Sequence, residues 1–180
     1  MVIDVRILSE WGYSEWLSLG AILGTLTIAL IAITTLIRTE KYRKQEYREK
    51  RCLEILNWAT KVNNFALRHR KEAVKIETEF ESYVNSQLHA LFDQYEPFRS
   101  TSVYTEQVAL AIDSRLRDAV TALRSTLQEH IRFLHRIKRG EEKGKNWIEV
   151  ATKLAKNNND LHDTAVKVIE AVAKVNTEGL

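Results

Sequence analysis

Hydrophobic positions follow two regimes along this chain. From Leu17 to Ile37 they run together, and LSLGAILGTLTIALIAITTLI holds no charged residue and no proline. As a helix rising ~1.5 Å per residue, the run reaches about 30 Å, the hydrocarbon thickness of a bilayer. It therefore reads as one transmembrane helix. Beyond it the apolar residues recur every three or four positions with charges between them, the pattern of helices that bury one stripe. Cys52, Ile55, Ala59, Val62, Ala66, His69, Ala73, Ile76 and Phe80 begin the first stripe. Ala109, Ile112, Leu116, Ala119, Leu123, Leu127, His130, Leu134 and Ile137 form a second, and Trp147, Ala151, Leu154, Asn158, Leu161, Ala165, Val168, Val172 and Val175 a third. No segment alternates with period two, so no strand is expected in the body.

Two stretches have turn compositions: EPFRSTS at 96–102, with the only proline, and RGEEKGK at 139–145, with Gly140 and Gly144. Three helices of about 58–95, 103–138 and 147–176 follow. Ser102 is positioned to cap the second, and Asn146, with Glu149 three residues on, the third. Folded at both turns, the helices match in length. The predicted fold is all-α: one N-terminal transmembrane helix followed by a coiled-coil-like, up-down-up three-helix bundle of long helices. The divisions are a short extracytoplasmic segment (1–16), the span (17–37), a basic juxtamembrane helical neck (38–57) and the bundle (58–180). In this register Trp58 and Trp147 lie near each other at one end.

Charge gives the span its direction. Residues 1–16 carry one basic and three acidic residues, and 38–51 seven basic and three acidic. Cytoplasmic flanks accumulate Lys and Arg, so the N-terminus is expected outside a plasma or inner membrane and the bundle in the cytoplasm. A cleaved signal peptide fits less well, because no basic region precedes the apolar run and no small-residue cleavage site stands out. Trp11, Tyr13, Trp16 and Tyr42 are the expected interface anchors, amphipathic rings that settle at headgroup depth. Arg38, Lys41, Arg43 and Lys44 are close enough to the span to meet anionic lipid headgroups. Gly20, Ala21 and Gly24 bring small side chains to one side of the span, which permits close packing against a second membrane helix.

The remainder, 52–180, is nearly neutral with 19 basic and 18 acidic residues, which argues against nucleic acid as a partner. One cysteine, Cys52, rules out an intramolecular disulfide. RGEEKGK has three residues between its glycines where a phosphate loop needs four, and it joins two helices. No other catalytic or nucleotide-binding motif is present, no two of the five histidines stand three or four apart, and no enzyme activity, cofactor or metal is expected. His69, His130 and Asn158 fall on stripe positions at similar heights and form a candidate polar core layer. Tyr83, Phe92, Tyr95 and Phe98 gather at the far end as a candidate partner surface.

The leading expectation is a single-pass membrane protein whose bundle is a protein-interaction or scaffold module at the membrane surface. Its partners are the bilayer, a protein of unknown identity and a second copy through the span. Two alternatives remain open: a homo-oligomeric membrane-active or pore-forming protein, against which the chargeless span counts, and a signal-transducing subunit of a membrane complex.

Overall fold

The computed structural model describes residues 12–86, 88–142 and 146–177, with the backbone alone for Glu15, residues 70–92 and Trp147. Four helices account for nearly all of it: α1 (Tyr13–Ser86), α2 (Leu88–Ile112), α3 (Ser114–Lys138) and α4 (Trp147–Thr177). No strand occurs among the described residues. The chain divides into two compact units, a first ending at Tyr47 and a second beginning at Arg48.

In the first unit α1 carries a stretch long and apolar enough to cross a membrane. Its large side chains are exposed: Ile28 is 70% exposed and Leu36 66%. The hydroxyls of this stretch are turned onto their own helix. Thr25 donates to the Ala21 carbonyl (2.8 Å), Thr27 to Leu23 (2.8 Å) and Thr34 to Leu30 (3.0 Å).

The second unit is an antiparallel helical bundle around one core, and the all-α bundle expected from the stripes is what the chain forms. Pairings across helix boundaries give its topology. Trp58 Nε1 donates to the Phe98 carbonyl at 3.3 Å, and the Phe65 and Tyr95 rings are 4.0 Å apart, so α2 runs back along α1. Glu106 accepts from Thr121 at 2.9 Å and pairs with Arg124, so α3 reverses again. Lys153 Nζ lies 5.2 Å from the Phe133 ring centre, between α3 and α4. The circuit closes where Asn63 meets His162 at 2.5 Å and Arg48 donates to the Val175 carbonyl at 3.2 Å. The order is up-down-up-down, with α4 antiparallel to α1.

The helix divisions therefore differ from the expected ones. Residues 96–102 are no turn: α2 passes through Pro97. Proline removes one backbone donor but not the helix, and the neighbouring polar side chains fit in. Ser100 and Thr101 donate to the Pro97 carbonyl at 3.0 and 2.8 Å. Ser102 is no cap but is 1% exposed inside α2, donating to the Arg99 carbonyl at 2.7 Å, and buried Thr105 donates to Thr101 at 2.9 Å. With their hydroxyls satisfied on their own helix, both line the core beside Tyr95 and Ala109 at little cost.

α2 already runs back from the end of α1, and an additional reversal falls at Asp113, which interrupts the expected helix 103–138. Its backbone is extended (φ −160°, ψ 138°), and its Oδ1 accepts from the amides of Arg115 (2.7 Å) and Leu116 (3.4 Å), capping α3. The turn at 139–145 is where the sequence places it. Gly140 has φ 74°, its amide reaches the Ile137 carbonyl and that of Glu141 the Arg136 carbonyl, both at 3.0 Å. This pair of bonds needs a left-handed residue, which glycine supplies without a Cβ clash. Asn146 caps α4 as expected, its Oδ1 accepting from Ile148 at 3.1 Å. Because Asp113 adds a reversal, α4 runs opposite to the expected direction, and its start at Trp147 lies at the other end from Trp58.

Candidate functional site

The most unusual interior feature is a polar cluster in the bundle core. Phe65 and His69, one turn apart on α1, stack with centroids 4.1 Å apart. Phe65 meets the Tyr95 ring edge-on, and the Tyr95 hydroxyl is 2.7 Å from His130 Nε2. His69 is 8% exposed, Tyr95 1% and His130 2%. Burial drives the His130 pKa down from 6.5 to about 3, and the nearby His69 adds to the effect. At neutral pH the His130 ring is therefore uncharged, and His130 Nδ1 has no hydrogen-bond partner among the described residues. Asn158 on α4 is also interior, 2% exposed, its Oδ1 likewise without a partner among the described residues. The three predicted layer residues are all interior, and His69 and His130 act on each other.

The predicted distal surface is placed differently. Tyr95 is a core residue, because its ring fills the space between α1 and α3 and its hydroxyl finds the His130 nitrogen inside. Phe98 is half-buried and packs on the core. The side chains of Tyr83 and Phe92 lie outside the described residues.

On the first unit, Trp11 lies outside the described residues, while Tyr13 is 82% exposed, Trp16 46% and Tyr42 71%. Arg38, Lys41, Arg43 and Lys44 are all exposed, and Lys44 is 3.9 Å from Glu40. Gly20 and Gly24 have open space where a Cβ would stand, and Ala21 is exposed beside them.

Burial pushes the Cys52 thiol pKa up against the opposing pull of Arg48, and the side chain is fully enclosed, so it is a packed thiol. No group of three potential metal-ligating side chains stands together among the described residues.

Sequence reasoning missed the polar links between helices. Arg51 bonds Tyr104 and, at 2.7 Å, Glu54. Glu106 is held below the usual carboxylate range by the Thr121 hydroxyl and the Arg124 guanidinium. The first link joins α1 to α2 and the second α2 to α3; the second exists only once the reversal at Asp113 is known, for which the aspartate two residues before Arg115 was the available signal. No protein-family model, no curated protein and no solved structure matches the chain.

Proposed function

We propose that this is a single-pass membrane protein, N-terminus outside and bundle in the cytoplasm, whose bundle is a protein-interaction or scaffold module at the membrane surface. The observation that carries the reading is a contrast within one chain. The described stripe residues of the second unit are buried or half-buried, whereas the first unit leaves a chargeless run of large apolar side chains exposed. In water such a run would be strongly unfavourable at ~25 cal/mol per Å² of apolar surface, and a bilayer removes the cost. The cations after the run suit the cytoplasmic leaflet, and Arg38, Lys41, Arg43 and Lys44 are free to meet anionic headgroups. Tyr13, Trp16 and Tyr42 serve as interface anchors. The pore-forming alternative is less well supported, since Thr25, Thr27 and Thr34 turn their hydroxyls onto their own helix.

Alkaline carbonate extraction of membranes from expressing cells, with reporters fused to each terminus, tests the anchor. Retention in the pellet with a cytoplasmic C-terminal reporter is expected; release into the supernatant refutes it. Crosslinking and capture of the tagged full chain in cells then tests the interaction reading. A reproducible protein partner is expected, and the Gly20→Leu, Gly24→Leu variant should retain it. An ion conductance abolished by that same variant would favour the pore.

A further inference from the structure

The apolar stripes of the bundle repeat, and a repeating stripe does not set its own register. The buried stripe of α4 runs through Leu154, Leu161, Ala165, Val168, Val172 and Val175. A slide of one heptad along α1 and α3 would put Leu154 at the place of Leu161, Leu161 at that of Val168 and Val168 at that of Val175, apolar for apolar. The connection does not prevent it, because the seven residues from Gly140 to Asn146 reach roughly 24 Å when extended. What breaks the repeat is polar. Among the described stripe positions, α1, α3 and α4 each carry one polar residue: His69, His130 and Asn158, all buried.

Contacts between the helices bring these three to one height. Asn63 meets His162, so on antiparallel helices Asn158, four positions before His162, lies level with Leu67, between Ala66 and His69. Lys153 reaches the Phe133 ring, so Asn158, five positions after Lys153, lies level with Gln128, two positions from His130. His69 and His130 act on each other. This layer does not serve stability. His130 Nδ1 and Asn158 Oδ1 are enclosed without a hydrogen-bond partner among the described residues, as are Asn157 Nδ2 and Asn159 Oδ1 on either side. Each forfeits its bonds to water, so apolar side chains would make the more stable core.

We infer that the layer is a register lock, which holds α4 against a one-heptad slide along α1 and α3. In the observed register Asn158 stands where both neighbouring helices supply a histidine. A slide that carries it to the present place of Ala165 sets it level with Ala59 and Val62 on α1 and with Val120 and Leu123 on α3, all fully buried and apolar. A slide the other way sets it level with Leu134 of α3. Every register but one therefore encloses a lone polar group, which is how a single core asparagine selects register in a coiled coil. The half-buried Asn63–His162 pair marks the same register from the flank, so loss of Asn158 should add a second register and not replace the first.

The test is pulsed dipolar spectroscopy of the full chain in mild detergent. Nitroxides sit on cysteines introduced by Asn64→Cys on α1 and Lys167→Cys on α4, both exposed positions, while Cys52 is enclosed and takes no label. With Asn158 in place, a single distance is expected. Asn158→Leu should hold or raise the urea midpoint and yet show a second distance, displaced along the axis by about 10 Å, one heptad of helix. Leu161→Ala weakens the same stripe without touching the layer, so it should lower the midpoint and keep the single distance. One unchanged distance in Asn158→Leu overturns the lock. So does a second distance in Leu161→Ala, because any loosening would then free α4. Lost helicity in Asn158→Leu also overturns it, since the layer would then be needed for folding and not for choosing a register.

Discussion

Acid should loosen the bundle through one residue. His130 is 2% exposed, and its pKa is held at about 3 against 6.5 for an open histidine, chiefly by desolvation. The folded value lies below the unfolded one, so between these values the unfolded chain binds a proton that the folded chain refuses. Stability is full above about pH 6.5 and falls as pH drops toward 3. At 1.36 kcal/mol per unit, the ceiling is about 5 kcal/mol, and about 2 kcal/mol is already lost at about pH 5. Few carboxylates have begun to protonate there, so the histidine effect stands apart from general acid unfolding. The assay is urea unfolding of the full chain in mild detergent, followed by helical circular dichroism between about pH 7 and about pH 5. His130→Gln keeps a polar group for the Tyr95 hydroxyl but cannot take the proton. It should lower stability at neutral pH and flatten the slope by about 2 kcal/mol over this interval. The same pH slope in the native and His130→Gln chains would refute the reasoning, because the proton would then be binding elsewhere.

Two further substitutions test the packing and the reversal. Leu123 is fully enclosed, so Leu123→Ala should cost about 2–5 kcal/mol in the same urea assay, while Leu110→Ala, at a 56% exposed position on α2, should stay within about 0.5 kcal/mol. Asp113→Ala removes the acceptor that caps α3 and should lower the thermal midpoint more than Asp118→Ala in the next turn; equal effects would mean that the cap does not hold the α2–α3 reversal.

The parts of this fold legible in the sequence were those written in apolar side chains. The run 17–37, the stripes on α1, α3 and α4, Gly140 and the Asn146 cap are each carried by a residue type with one dominant structural use. α2 was illegible because its core face is written in Tyr95, Ser102, Thr105 and Ala109. Ser, Thr and Pro in succession have the composition of a turn, and only the back-bonding of the hydroxyls to Arg99 and Thr101 makes them acceptable inside. The true reversal was masked for the opposite reason. Ile112 and Leu116 keep their four-residue spacing across it, so the stripe continues while the backbone breaks, and Asp113 carries the signal alone.

The burial of His69 and His130 was legible for a reason that survives the change of topology. In a hairpin turning near 99, His69 and His130 would be neighbours on antiparallel helices. In the observed bundle they belong to α1 and α3, which run parallel across the core, and they meet through Phe65 and Tyr95. Both arrangements satisfy one condition, that stripe positions point inward and that polar stripe positions at one height find each other to avoid lone burial. The stripe thus determines which residues share the core, and the breaks determine which helices carry them past one another.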